Sequence, residues 1–404
     1  MANISSIKLP NGSTYDIKDN SKSTATNWLN GSQTGSLRTI GSAAEDSNYT
    51  IGSYALAEGR DTKAKGDDSH SEGRYSQATG TYSHAEGYST QANGYSSHSE
   101  GEYTHTYAEG SHAEGYGTET GASGENIGFY SHAEGYSTKA KGQGAHSEGE
   151  QSVANGCSSH VEGVHTTTNN DAAHAEGYYT QANGKSSHAE GGYYVAQSGD
   201  PVYNTIAIGT SSHAEGGGAV AVGAYSHGEG YKTTAYGMKS HAEGENTVSA
   251  GDCSHAEGYN TQSTGLNSHT EGSDTVASGN NSHAEGDSTT ASGSQAHAQN
   301  LSTIAQRRSQ TAIGEYNIAD TSGTDGTELG DYVFIIGNGT DANSRSNALT
   351  VDWSGNGVFA GKITVGSAPT VNMDVATKKY VDDAVGEITS LSFADIDEVT
   401  DGGQ

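Results

Sequence analysis

Over most of this chain the hydrophobic and polar positions follow no helical period. They follow a 14-residue cycle built from two similar heptads. Ser83-His84-Ala85-Glu86-Gly87-Tyr88-Ser89 is followed by Thr90-Gln91-Ala92-Asn93-Gly94-Tyr95-Ser96, and both read small, x, Ala, x, Gly, turn, turn. Strand side chains alternate between faces, so Ser or Thr, Ala and Gly share one face and the x residues share the other. Three small residues in succession on one face predict a very narrow interior between two short strands. Glycine at each strand end predicts a turn there, through positive φ. Two strands and two turns make one coil of a flattened roll, and stacked coils pair in register as parallel sheets.

The cycle runs from His70 to His297 in sixteen copies, and Glu stands two after His in fifteen of them, the exception being Gln299. The His spacing is 14 except at two steps: His112 to His132 is 20, and His188 to His213 is 25. These are insertions of six and eleven residues, near Glu119–Tyr130 and Gly192–Asn204. Fourteen residues before His70 the cycle reads Ala55-Leu56-Ala57-Glu58-Gly59, and fourteen after His297 it reads Gln310-Thr311-Ala312-Ile313-Gly314. Ile206-Ala207-Ile208-Gly209 and Val220-Ala221-Val222-Gly223 carry aliphatic x residues within the array.

Residues 49–314 resemble the head repeats of YadA-type trimeric autotransporter adhesins, whose motif is Ser-x-Ala-x-Gly at a 14-residue period. The resemblance implies an all-β fold: a left-handed parallel β-roll of about 18 coils, assembled as a homotrimer. At ~4.8 Å per coil the roll would be roughly 85 Å long. The chain departs from that family at the x positions, where His and Glu replace Val and Ile. The first strand is nearly constant, whereas the second reads Lys63-Ala64-Lys65, Gln77-Ala78-Thr79 or Val153-Ala154-Asn155. A face that tolerates Lys, Gln and Val is expected to be solvated. The His/Glu strand is therefore expected to line the trimer interface, through His84, Glu86, His98, Glu100, His174, Glu176, His241, Glu243, His255 and Glu257. Buried Glu is costly unless hydrogen-bonded, and His supplies a donor in either charge state.

Outside the array, two alternating runs flank Pro10-Asn11-Gly12, a hairpin pattern. This segment, residues 1–20, is similar to the N-terminal leader of structural proteins from phages of Gram-positive bacteria, which implies the virion-attachment end. Residues 21–48 read as a linker or the start of the roll. Residues 315–372 include the most apolar strand, Tyr332–Thr340, and read as a small β cap over an otherwise unpaired edge. The stretch Leu349–Val381 is similar to modules of phage tail fibres. Within residues 373–392, Asp374–Leu391 is expected to be helical with Asp374 as N-cap, and Val381, Val385 and Ile388 form a short a/d stripe suited to a trimeric coiled coil. Residues 393–404 form an acidic tail.

Composition narrows the function. Only 31% of residues are hydrophobic, Gly reaches 58 and the net charge is −30, values that would suggest disorder without the repeat. With 19 Lys and Arg, nucleic acid is not an expected partner. No apolar run approaches a membrane span, and no secretory signal is visible. Cys157 and Cys253 lie about seven coils apart, roughly 33 Å, too far to pair within a chain. Catalysis is not expected: Ser-His recurs in nearly every coil and its two side chains point to opposite faces. His and Glu at i, i+2 could gather ligands on a threefold axis, but the expectation is an interface network with no metal and no cofactor. The sequence is thus read as a virion fibre, made in the host cytoplasm, a rigid trimeric spacer in host-surface attachment. It would join a tail, baseplate or capsid protein through its N-terminus and meet a host glycan or protein. The rivals are a capsid-decorating fibre and a bacterial trimeric adhesin. Candidate receptor contacts are the aromatics near the insertions, Phe129, Tyr130, Tyr193, Tyr194 and Tyr203.

Overall fold

The computed structural model describes residues 6–8, 14–16, 28–39, 49–124, 127–192 and 204–362, together with Val381 and Val385. These residues form an all-β chain whose body is a parallel solenoid of about 18 turns. Each coil supplies one strand to each of two sheets. The first sheet holds the longer strands, such as His84–Tyr88 and His98–Glu102, paired His84 to His98 and Gly87 to Gly101. The second holds two-residue strands such as Gln91–Ala92 and His105–Thr106, paired Gln91 to His105. The offset of 14 residues places like residue over like residue throughout, as the cycle requires.

The interior is as narrow as three small residues demand. Ala85, Ala92, Ala113 and their equivalents are 0% exposed, and the largest side chain at an alanine position is Val161. Serine hydroxyls in this core are satisfied locally, whereas several threonine hydroxyls at the start of the second strand, such as Thr62, Thr90 and Thr118, are buried without a partner. The serine that precedes most of the histidines donates to a carbonyl three residues back: Ser83 Oγ to Gly80 at 2.6 Å, Ser97 Oγ to Gly94 at 2.8 Å, Ser240 Oγ to Gly237 at 2.7 Å. So small a core buries little apolar area per residue. Cohesion comes instead from the dense backbone ladder between coils, for example His84 N to Ser97 O at 2.9 Å and Gln91 N to Thr104 O at 2.8 Å.

The turns differ from the sequence expectation. Only the glycine ending the first strand has positive φ, as at Gly87 (+109°); its partner in the second heptad, Gly94, does not. A side chain at Gly94 is excluded for another reason: its Cβ would lie 1.9 Å from the Ala108 carbonyl oxygen of the next coil. The left-handed turn residue is the second one after each of these glycines and is mostly not glycine: Tyr82 (59°), Ser89 (56°), Ser96 (51°). A mainly non-Gly sequence at these positions hid that geometry.

At the N-terminal side, Ser6–Lys8 pairs antiparallel with Thr14–Asp16. Trp28–Asn30 pairs antiparallel with Leu37–Thr39, which stacks in parallel on Leu56–Ala57, so the first sheet starts inside the stretch read as a linker. At the other end, Tyr332–Asn338 lies parallel on Thr311–Glu315, with Ile335 fully buried beside Ala312. Asn347–Asp352 and Gly357–Phe359 then add antiparallel. The connecting loop is tied down by a buried network. Arg307 Nε donates to the Asp320 carbonyl at 3.1 Å, and the Asp320 carboxylate accepts from Gln310 Nε2 and from Tyr332 N at 3.0 Å. Val381 and Val385 are helical and about half exposed, whereas Ile388 lies outside the described residues. Among the described residues no helix is long and apolar enough to cross a membrane.

Candidate functional site

The parallel register that stacks like on like also builds the chain's most distinctive surface. His84 and Glu86 flank inward Ala85 and project from the outer face of the first sheet. Every successive pair of repeat histidines from His70 to His297 stacks, with centroids such as 4.7 Å for His84–His98 and 4.9 Å for His283–His297, the rings nearly parallel at 5° and 2°. The insertions do not interrupt the column: His112–His132 and His188–His213 are both 4.8 Å apart. His84, His98, His174, His241 and His255 are all members. The side chains are about a third exposed in the single chain.

Beside the histidines runs a carboxylate column through Glu86, Glu100, Glu176, Glu243 and Glu257. Many of the His Nε2 atoms face the Glu of the preceding coil, at 3.3 Å for His70–Glu58, 3.3 Å for His213–Glu190 and 3.2 Å for His297–Glu285, whereas His227, His241 and His255 approach the Glu of their own coil at 3.6, 3.6 and 3.9 Å. Most of the others sit slightly farther, as in His84–Glu72 at 3.4 Å and His188–Glu176 at 3.7 Å. As a result the Nε2 atoms of His84, His98, His174, His241 and His255 are buried without a hydrogen-bond partner in the single chain. The glutamates and the positive-φ glycines line open grooves of about 890 Å³ from Glu72 to Gly163 and about 630 Å³ from Glu229 to Asn300.

Carboxylates one coil apart cannot all ionise at neutral pH. Glu72, Glu100, Glu134 and Glu257 are pushed up to about 7, chiefly by the hydrogen bonds their protonated carboxyls donate to neighbouring carboxylates, with burial adding to the effect. Their neighbours move the other way: Glu86, Glu148 and Glu243 are held low and Glu114 falls to about 2, because each accepts from a protonated neighbour. The column thus shares protons between adjacent coils and titrates as a coupled set. His84, His98, His174 and His255 are lowered by burial and then by adjacent histidines, which favours neutral rings.

His84, Glu86 and His98 bring ligand atoms within 4.8 Å of one another, and the grouping recurs along the column. Within one chain its geometry suits hydrogen bonding better than coordination. Parallel stacked rings send their Nε2 lone pairs side by side, whereas an ion needs them to converge. The Ser-His pair is not brought together either, since the serine is buried and bonded to backbone while the histidine is outside.

Phe129 and Tyr130 are not on the inserted loop. Ser131 bonds the Gly128 carbonyl as Ser97 bonds Gly94, and Tyr130 has φ 57°, so both aromatics occupy a regular turn; the extra residues are 122–127. Phe129 is half-buried and Tyr130 is 62% exposed, its hydroxyl donating to Glu109 at 3.4 Å. Tyr193, Tyr194 and Tyr203 lie outside the described residues. Cys157 and Cys253 are free and exposed. The turn tyrosines, Tyr88, Tyr136 and Tyr259 among them, read from the sequence as ladder packing and not as ligand sites; Tyr88 and Tyr136 do stand in ring contact with tyrosines of neighbouring coils. No family model matches this chain, and no curated protein matches it.

Proposed function

We propose that the chain is the protomer of a rigid homotrimeric fibre on a phage or phage-like particle, acting as a spacer in host-surface attachment. The observation that carries this reading is the unbroken His/Glu column. It is the most constant surface of the repeat, yet in one chain it leaves a row of buried Nε2 atoms without partners. Packing that face around a threefold axis covers the third of each His and Glu side chain that one chain leaves exposed, repeated identically at every coil. The roll is left-handed in this reading, as in the adhesin heads it resembles. The strands after residue 315 serve as its cap, and Val381, Val385 and Ile388 clamp the three chains. The N-terminal hairpin is the virion end. The strong negative charge keeps such a particle soluble.

Sedimentation velocity tests the assembly: the expected species has about three times the 41.4 kDa chain mass, and a monomer at micromolar concentration refutes it. Antibody-labelled negative-stain images of virions test the location. Label on tail or capsid is expected, and unlabelled particles refute a virion role.

A further inference from the structure

The turn after the first strand carries tyrosine in five successive coils: Tyr75, Tyr88, Tyr103, Tyr116 and Tyr136. Their rings form a continuous edge, with centroids 5.8, 5.4, 5.7 and 5.2 Å apart. The first three contacts are edge-to-face, at 74°, 88° and 81°. Four of the rings stay open to solvent, with Tyr75 36% exposed, Tyr103 and Tyr116 42% and Tyr136 47%, while Tyr88 is partly buried between its neighbours. The backbone beneath is held coil to coil, through Tyr103 N to Tyr88 O at 2.9 Å and Ser137 N to Tyr116 O at 2.7 Å.

The coil does not need these rings. Tyr75 and Tyr103 occupy the left-handed position, at φ 62° and 59°, where a bulky side chain is disfavoured. Farther along, the same position holds Asn246, Asn260, Asp274 and Ser288 with the same φ, residues that suit it better. An unfavourable residue kept in water on a rigid edge points to a use. The polar groups beside it are mixed. The Arg74 guanidinium stands 4.8 Å from the Tyr75 ring and 5.6 Å from the Tyr88 ring, and Glu102 precedes Tyr103.

We propose that this tyrosine edge is a binding track for an uncharged polysaccharide. Sugar rings present apolar C–H faces that lie on aromatic rings, and their hydroxyls suit both an Arg donor and a carboxylate acceptor. The net charge of −30 disfavours anionic polymers, nucleic acid included. The inference gives the attachment reading a ligand class and rests on it for its biological sense, though the binding itself needs no trimer.

The test uses the full chain and its variant Tyr75→Asn, Tyr88→Ser, Tyr103→Asn, Tyr116→Ser, which borrows turn residues already present in the roll. Binding is measured by co-sedimentation with chitin, insoluble β-glucan and galactan, and by calorimetry with the corresponding hexasaccharides. The expected result is binding to at least one neutral polymer, weakened about tenfold or more in the variant. A Tyr82→Asn, Tyr95→Ser control on the opposite turn should bind as the parent does, and all three proteins should melt alike. The track is refuted if no neutral glycan binds, if the variant binds as well as the parent, or if the control loses as much. Sedimentation of the same samples reports the oligomer separately, so a trimer that binds no glycan removes the track and leaves the fibre.

Discussion

Replacing Gly87 by alanine should open the roll at one coil and leave the rest closed. Gly87 has φ +109°, a conformation that residues with a side chain rarely adopt, so a side chain there costs about 1–3 kcal/mol. The added Cβ would lie 2.1 Å from the Gly101 carbonyl oxygen, and the coils must separate by roughly 1 Å to restore ordinary contact. That displacement weakens the adjoining ladder hydrogen bonds, worth about 1 kcal/mol each. Together the loss is about 3–5 kcal/mol. Coils couple only to their neighbours, so the loss is local. Hydrogen exchange read by mass spectrometry should rise by roughly a hundredfold or more in peptides covering 84–102, with no change over 255–273. The chain supplies its own graded control. Asn300 takes the glycine's place opposite Gly286 with φ 84°, and its side-chain oxygen accepts from Gly314 N at 3.3 Å. Gly87→Asn should therefore open less than Gly87→Ala. Exchange in the alanine variant indistinguishable from the parent, or an asparagine variant that opens more, would refute the reasoning.

Stability should peak on the acid side of neutrality, between the two losses that follow. The raised carboxyls, Glu72, Glu100, Glu134 and Glu257, contribute stability present in full below the ordinary value of 4.5 and lost as pH rises through about 7. The lowered histidines contribute stability present above 6.5 and lost as pH falls through their folded values. Melting temperature followed by circular dichroism should fall on both sides, and Glu72→Gln, Glu100→Gln, Glu134→Gln should flatten the alkaline arm; a parent protein that melts alike from pH 6 to 9 contradicts the shared-proton column. Ser83→Ala removes the 2.6 Å bond to Gly80 and should cost about 1 kcal/mol, with the fold kept because Ala145 and Ala173 already stand at that position. Asp320→Ala removes the carboxylate that accepts from Gln310 Nε2, Tyr332 N and Ser322, and limited proteolysis should cut 318–331 faster while the array stays resistant.

The coil was readable because a strict period leaves few arrangements. Small residues at Ser83, Ala85 and Gly87 dictate what faces inward, and the offset of 14 dictates that His84 stacks on His98. The turns were less readable. Positive φ falls on Tyr75, Ser89 and Tyr103, residues that do not advertise it, whereas Gly94 is required by contact with the next coil, which only the stacked structure reveals. The same limit applied to Phe129 and Tyr130, whose place depends on where the loop leaves the coil. The carboxyl column was legible as a row of glutamates, but the alternation of protons along it depends on distances between coils.

The histidine column crosses both insertions without a change of step, and this makes the array a ruler. Its length can change only in whole units of one coil. A duplication or loss of 14 residues would shift the far end by a single rung and leave every existing contact as it was. The six extra residues between His112 and His132 leave the two rings stacked in register and carry no cost to the count. Reach and decoration are thus independent variables in this molecule, the first set by how many times the unit is copied and the second by what is spliced between copies.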